Sequence, residues 1–111
     1  LIAGRVKATT DAVIGTEAVA SLQHYHFSKG FFGTNGITVE EGFTTPDIEE
    51  AMNKRVAMEH CRKCYVLADA SKFEALSNVS FGPLSKGVII TAAQEGLNVR
   101  SYKQHTEVIV L

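Results

Sequence analysis

The sequence has no excess of basic residues, few cysteines and no long apolar run, and each absence excludes a class of protein. Lys plus Arg number 11 against 12 Asp plus Glu, a formal net charge of −1. The chain therefore offers no basic surface for a phosphate backbone and is not expected to bind DNA alone. Its two cysteines, Cys61 and Cys64, are too few for a secreted disulfide framework. No apolar stretch approaches the ~20 residues of a membrane span. We expect a cytoplasmic domain with no membrane partner.

The length and the first residues describe a single domain taken from a larger protein. A chain of 111 residues can bury one core. It opens on Leu1-Ile2-Ala3-Gly4, without an initiator methionine or a basic leader, which predicts an excised piece.

Apolar segments alternate with helical patterns, which predicts an α/β fold with a mainly parallel open sheet and flanking helices. Residues 5–13 are typical of an exposed connection, and residues 15–22 predict a short amphipathic helix. The predicted strands are the end of one at 1–3, then 27–32, 65–68, a small one at 79–81, 88–90 and 108–111.

A second helix is predicted after Gly42-Phe43-Thr44-Thr45-Pro46-Asp47. Thr45 is expected to cap it and Pro46 to occupy its first turn. Its predicted apolar stripe consists of Ile48, Ala51, Met52 and Val56. Its far end is expected to carry His60, Arg62 and Lys63, where cations suit the helix dipole.

The first candidate binding block follows the predicted strand that contains Phe31 and Phe32. It consists of Gly33, Thr34, Asn35 and Gly36. Such a turn can aim backbone N–H groups at an anion such as phosphate. The alternative is an ordinary tight turn, because Asn-Gly is a common turn dipeptide.

A second block follows the predicted strand at 65–68. Asp69, Ser71 and Lys72 offer an acceptor, a hydroxyl and a cation, a set suited to sugar hydroxyls and a phosphate. The alternative is a turn that Asp69 caps. Lys54 can reach a ligand from the second helix, or it can simply pair with Glu50 four residues earlier.

Metal and redox chemistry receive little support. Cys61 and Cys64, with His60 or with His24 and His26, lack a second ligand pair at matching spacing. We therefore predict no metal and no cofactor. Four aromatic residues, Phe31, Phe32, Phe73 and Phe81, are expected to lie in the core rather than to stack on bases.

Taken together, the motifs resemble the C-terminal effector-sensing domain of the DeoR family of bacterial sugar-metabolism repressors. The resemblance runs from Gly4 to Thr91, and it looks most like members that govern fructose or other phosphotransferase-system sugars. It is carried by Gly4-Arg5-Val6, Gly15-Thr16-Glu17-Ala18, Gly33-Thr34-Asn35-Gly36-Ile37, Gly42-Phe43-Thr44-Thr45-Pro46-Asp47, Lys54-Arg55 and Leu67-Ala68-Asp69-Ala70-Ser71-Lys72-Phe73.

The resemblance implies a fold shared with ribose-5-phosphate isomerase, glucosamine-6-phosphate deaminase and CoA transferases, here truncated at its N-terminus. It also implies a phosphorylated sugar effector and a winged helix-turn-helix that binds DNA, which this chain lacks. The family's Asp-x-Gly-Thr-Thr phosphate loop is absent too. Residues 1–111 are thus expected to form a partial sensor domain that self-associates. One departure is Ala92, where family members often have an acid.

The resemblance also assigns the site residues. Gly33, Thr34, Asn35 and Gly36 should line the ligand, with Lys54 reaching in. Asp69, Ser71 and Lys72 should touch the ligand or shape its site.

A sensor is expected rather than an enzyme. The related deaminases place Asp, Gly and His in the loop where this chain has Asn35 and Ile37. An amide does not take a proton near neutral pH, so no catalytic residue is predicted. The alternative is a fragment of a sugar-phosphate isomerase or deaminase, with Asp69 or Glu41 as its base.

Overall fold

The computed structural model describes residues 5–7, 12–14, 20 and 22–111. Within them the chain is an α/β domain with sheets of four, three and two strands. Two α-helices have both ends among the described residues, α1 (Ile48–Glu59) and α2 (Arg100–Lys103). The predicted strand at 1–3 lies outside these residues. Most of the helix predicted at 15–22 does too, although Ala20 and Leu22 are helical.

The first two strands correct the expectation of an exposed connection over residues 5–13. Strands β1 (Arg5–Lys7) and β2 (Ala12–Ile14) form an antiparallel pair in which Val6 lies opposite Val13. The β-branched residues of this segment favour strand pairing once a partner strand lies close in sequence. The alternating small, charged and β-branched residues of 5–13, which predicted an exposed connection, therefore include the strands of a two-stranded sheet.

The four-stranded sheet is parallel throughout, which agrees with the predicted mainly parallel sheet. Its strands are β3 (Phe27–Gly33), β6 (Cys61–Leu67), β8 (Val88–Thr91) and β9 (Val108–Val110), in the order β3-β6-β8-β9. Gly33 lies opposite Leu67, Leu67 opposite Ile90, and Ile90 opposite Ile109. The carboxyl ends of all four strands therefore meet at one edge of the sheet.

The three-stranded sheet is antiparallel. Its strands are β4 (Gly36–Thr38), β5 (Gly42–Thr45) and β7 (Val79–Gly82), in the order β4-β5-β7. The β4–β5 connection ends at Gly42, whose φ of +72° favours glycine. All of β5 is buried, so the Gly-Phe-Thr-Thr block is a core strand as well as the approach to a helix.

Helix α1 begins later than predicted. Asp47 caps it, because its carboxylate accepts from the Glu49 N–H at 2.8 Å. Thr45 is the last residue of β5, so its predicted capping role was wrong. The predicted basic end was wrong too: His60 only follows the helix, and β6 begins immediately afterwards at Cys61.

The buried face of α1 also differs from the predicted stripe. Ala51 and Met58 are buried, whereas Ile48 is 59% exposed and Met52 is 44% exposed. The helix packs on β7, and this contact buries a face rotated away from Ile48 and Met52. Apolar spacing located the helix, but its neighbours decided which face is covered.

The core joins the two larger sheets. Its most deeply buried side chains are Ile37, Phe43, Val66, Phe81, Ile89 and Tyr102. Of the predicted core aromatic residues, Phe81 is buried, and Phe32 and Phe73 are partly buried against this cluster. Phe31 is 64% exposed, because it points to the opposite sheet face from Phe32.

Candidate functional site

The carboxyl edge of the parallel sheet brings the predicted binding blocks together. Residues 33–36 end β3 and lead into β4, whereas Asp69 follows β6, the neighbouring strand. Neighbouring strands lie about 5 Å apart, so the two blocks are adjacent at this edge. Polar groups at the carboxyl ends of parallel strands are where open α/β sheets bind their ligands.

Thr34 gives the first turn its shape. It is buried, and its hydroxyl shares its proton between the carbonyl oxygens of Gly36, at 2.8 Å, and Thr44, at 3.0 Å. The Asn35 N–H donates to the same Thr44 carbonyl at 3.0 Å. The turn is thus held by the protein itself, and the Asn35 N–H is not available to an anion.

The Asn35 side chain is exposed and oriented. Its Oδ1 accepts from the Thr45 hydroxyl at 3.1 Å. With the oxygen engaged, the remaining polar atom of the amide is its nitrogen, which can only donate. The group can bind a ligand oxygen and cannot act as a base.

The two glycines of this turn have different reasons to be glycine. A Cβ at Gly36 would overlap the Ala75 carbonyl oxygen and lie 2.7 Å from Thr44 Oγ1, so no side chain fits there. A Cβ at Gly33 would meet nothing within 4 Å. The requirement at Gly36 is close packing against Ala75 and Thr44.

Lys54 reaches this turn from α1. Its ammonium donates to the Gly33 carbonyl oxygen at 2.9 Å and lies 5.0 Å from the centroid of the Phe81 ring. Burial lowers the pKa of Lys54 below its usual value, and the nearby charge of Glu50 opposes that shift. Lys54 is therefore a partly desolvated cation at the carboxyl edge, and its interaction with Glu50 does not draw it away from the turn.

The second block forms a capped turn. The Asp69 carboxylate accepts from the Ser71 N–H at 2.9 Å and also from the Ser71 hydroxyl, and it caps a short 3₁₀ helix, Ala70–Lys72. These bonds, with the charge of Lys72, lower the pKa of Asp69. Asp69 and Ser71 are exposed, so the cap faces solvent at the edge of the site.

An open cleft of about 1040 Å³ adjoins the second block. Asp69 and Ser71 line it, whereas residues 33–36, Lys54 and Lys72 do not. Its other wall is polar and includes Gln94, Glu95, Asn98, Arg100, Ser101 and Gln104. Sequence analysis missed this wall. The polar run after Gly96 was the available signal, but only the fold places it beside Asp69.

Thr91 is a further polar residue that sequence analysis missed. It ends β8 at the same edge and is 3% exposed. Its hydroxyl has no hydrogen-bond partner within the described parts of the chain. A buried hydroxyl of this kind costs free energy unless another group satisfies it.

Cys61 and Cys64 are free thiols on β6. Burial raises the pKa of both, that of Cys64 to about 11, which disfavours the reactive thiolate. His26 and His60 lie nearby, with ring centroids 5.6 Å apart. No group of three metal-ligating side chains occurs in the part of the chain that the structure describes.

The fold and this edge define a small α/β domain whose polar groups gather where the parallel strands end. Among the described ranges, no helix is long and apolar enough to cross a membrane. The sequence model of the DeoR C-terminal sensor domain matches residues 1–93. The chain belongs to the DeoR family of transcription regulators and comes from its sensor domain.

Relatives agree with this assignment. The chain is 41% identical over 111 residues to the HTH-type transcriptional regulator FruR of Bacillus subtilis, covering 100% of the chain and 44% of that protein. It is 31% identical over 110 residues to the lactose phosphotransferase system repressor of Streptococcus mutans, covering 98% and 43%. It is 35% identical over 86 residues to the HTH-type transcriptional regulator GlpR of Haloferax volcanii, covering 78% and 34%.

These relatives are named regulators and repressors, so the alternative of an enzyme fragment was wrong. The chemistry of the candidate base Asp69 agrees with this conclusion. Asp69, one of the two bases that the enzyme alternative would need, has a lowered pKa and an oxygen engaged by Ser71. Such a carboxylate is a poor proton acceptor.

Proposed function

We propose that this chain is the effector-binding part of a repressor whose DNA affinity changes when a phosphorylated sugar binds. The observation that carries the proposal is Lys54, a partly desolvated ammonium at the carboxyl edge of the sheet, 2.9 Å from the Gly33 carbonyl oxygen. A cation with a reduced water shell binds a phosphate more strongly than a fully hydrated one. Because the lysine stem is flexible, its ammonium can exchange the Gly33 carbonyl oxygen for a phosphate oxygen.

The second block supplies contacts for the sugar. Ser71 carries a hydroxyl, Asp69 carries acceptors, and both line the open cleft. Sugar hydroxyls donate and accept, so a carboxylate beside a hydroxyl suits them. We place the phosphate near Lys54 and the sugar toward Asp69 and Ser71, with Thr34 and Gly36 shaping the turn and Lys72 adding positive charge.

Asn35 supports binding without reaction. Its amide nitrogen can donate to a ligand oxygen, and an amide holds no proton-transfer role near neutral pH. Ile37, in the same segment, is fully buried. Effector binding by such a site leaves the sugar phosphate unchanged, which is what a sensor requires.

The rest of the regulator is proposed from the relatives. The chain spans 44% of the FruR relative's length, and that relative's name includes a helix-turn-helix. We place the DNA-binding domain in the part of the protein outside residues 1–111. We propose a cytoplasmic protein that self-associates, because paired DNA half-sites need paired reading heads. Size measurement by light scattering would refute self-association if the full-length protein were monomeric at working concentrations.

The architecture supports the more specific fold assignment. The parallel sheet with binding groups at its carboxyl edge fits the ribose-5-phosphate isomerase, glucosamine-6-phosphate deaminase and CoA transferase group. We propose that fold for the complete sensor, in which the family's Asp-x-Gly-Thr-Thr loop would supply further phosphate contacts.

A thermal-shift screen of the full-length protein tests the proposal. The panel is hexose and pentose monophosphates, with the unphosphorylated sugars and inorganic phosphate as controls. A compound at about 100 times its dissociation constant stabilises by about 2.7 kcal/mol. We expect a phosphorylated sugar to raise the melting temperature and to change operator affinity in a gel-shift assay. The absence of any response to the whole panel would overturn the assignment.

A further inference from the structure

We infer that Tyr102 is a positioning residue of the effector site, whose hydroxyl holds the two binding blocks in their working arrangement. This inference rests on the proposed function, since it assigns a role within the same site. Tyr102 belongs to α2, between β8 and β9. It lies beyond residues 1–93, the part matched by the family model.

The hydroxyl bonds at once to a residue that borders each block. Tyr102 is 1% exposed, and its Oη donates to the Ile37 carbonyl oxygen at 3.1 Å and accepts from the Glu74 N–H at 3.1 Å. Ile37 directly follows residues 33–36, and Glu74 lies two residues after Lys72. A buried tyrosine hydroxyl usually finds a partner. Here both partners border the binding blocks, 65 and 28 residues away along the chain.

The segment that Tyr102 holds has a backbone conformation that needs support. Glu74 has a φ of +65°, in the left-handed region that residues with a Cβ seldom adopt. The Tyr102 ring packs edge-on against Phe73, with centroids 5.0 Å apart. The strained turn that follows Lys72 is thus held in part by contacts with one side chain of the C-terminal segment.

Removing the hydroxyl should loosen the site without unfolding the domain. The Glu74 N–H also donates to the Ile37 carbonyl oxygen at 2.8 Å, and phenylalanine keeps the ring. Neither backbone group is therefore left unpaired by Tyr102→Phe. The strained turn loses one of its restraints, so a smaller fraction of molecules has the binding-competent arrangement. The apparent affinity for the effector falls in proportion to that fraction.

The matched control is Thr106→Val. The Thr106 hydroxyl also joins the C-terminal segment to a backbone carbonyl, that of Gly87, at 2.6 Å. Gly87 precedes β8, at the opposite edge of the sheet from the binding blocks. Each variant removes one hydroxyl, which ends two hydrogen bonds in Tyr102→Phe and one in Thr106→Val. Only the bonds of Tyr102 lie beside the binding blocks.

The experiment is isothermal titration of the full-length wild type and both variants with the panel sugar phosphate that binds wild type most tightly. We expect similar losses of melting temperature in both variants. Affinity should fall about tenfold in Tyr102→Phe, the equivalent of one hydrogen bond, and less than twofold in Thr106→Val. In the unliganded protein, amide hydrogen exchange at Glu74 should accelerate in Tyr102→Phe alone.

Two results would overturn the inference. One is equal affinity of the two variants for the same sugar phosphate, and the other is unchanged Glu74 exchange in Tyr102→Phe. If wild type binds no compound of the panel, the proposed function fails and this inference falls with it. Binding by wild type with unchanged affinity in Tyr102→Phe refutes the role of Tyr102 alone.

Discussion

Replacing Lys54 by methionine should abolish most of the affinity for a phosphorylated sugar while leaving the domain folded. Methionine keeps a flexible unbranched chain and removes the charge. A hydrogen bond from a charged donor contributes about 1.5–3 kcal/mol. The expected loss of affinity is therefore about 10- to 150-fold.

The cost to stability should be much smaller. The variant loses the 2.9 Å bond to the exposed Gly33 and the contact with the Phe81 ring. The variant also removes the cost of burying a charged ammonium, the same desolvation that lowers the pKa of Lys54. These contributions oppose each other, so the free energy of unfolding should change by no more than about 1 kcal/mol.

Arg55→Met is the matched control for charge. Arg55 is the next residue of α1, and its Nη2 donates to the Ser80 carbonyl oxygen at 2.8 Å. Both variants lose one positive charge and one bond to a backbone carbonyl. Titration calorimetry on the full-length protein should show a large affinity loss for Lys54→Met only. Equal losses in the two variants, or no loss in Lys54→Met, would refute contact between Lys54 and the phosphate.

The pH dependence provides an independent check. Because the pKa of Lys54 lies below 10.5, affinity should fall at a pH below that value as the ammonium loses its proton. Lys54→Arg should remove this alkaline limb, since arginine stays charged. The same lowered pKa means that the unfolded chain holds the proton more tightly, so this residue's contribution to stability rises with pH up to 10.5.

Further substitutions test the fold and the capped turn. In denaturant melts, Gly36→Ala should lower stability by at least about 2 kcal/mol, because the added carbon overlaps a backbone carbonyl. Gly33→Ala places its added carbon in open space and should change stability by under about 0.5 kcal/mol. Phe81→Ala should lower the free energy of unfolding by about 3–5 kcal/mol, whereas Phe31→Ser, at an exposed position, should lower it far less. Comparable losses of stability in the two variants would contradict the assigned faces of β3 and β7. The lowered pKa of Asp69 predicts a stabilising contribution that is complete above pH 3.8 and disappears as pH falls through the folded-state pKa. Thermal melts of Asp69→Asn should lack this acid dependence, and an identical acid profile in both proteins would contradict it.

The central pattern of the fold was predictable because parallel strands leave continuous apolar runs. The strands at 88–90 and 108–111 and the small strand at 79–81 were confirmed with boundaries within one residue. Helix α1 was located correctly, but Thr45 was predicted as its cap and the cap is Asp47. Several residues near a helix start can accept the same N–H groups, and backbone geometry selects among them.

The sequence supplied the candidate site residues, whose contact with a ligand stays a prediction, and it said little about their arrangement. Lys54 was expected to reach a ligand or to pair with Glu50. Its ammonium bonds to the Gly33 carbonyl oxygen of the first turn and still senses the charge of Glu50. Its contact with a ligand stays a prediction. The cleft wall around residues 94–104 was not predicted. Its residues carry no motif, and they contribute only because the β8–α2 connection passes beside Asp69.

The sequence alone determined the family, the parallel sheet and the polar blocks, because each depends on residues adjacent in the chain. Tertiary structure decided which polar groups are free to meet a ligand. It placed the Asn35 N–H in an internal bond, left Phe31 exposed, and brought Tyr102 to residues that border both blocks. Such outcomes depend on contacts between residues far apart in sequence, and local patterns carry no information about which distant partner arrives.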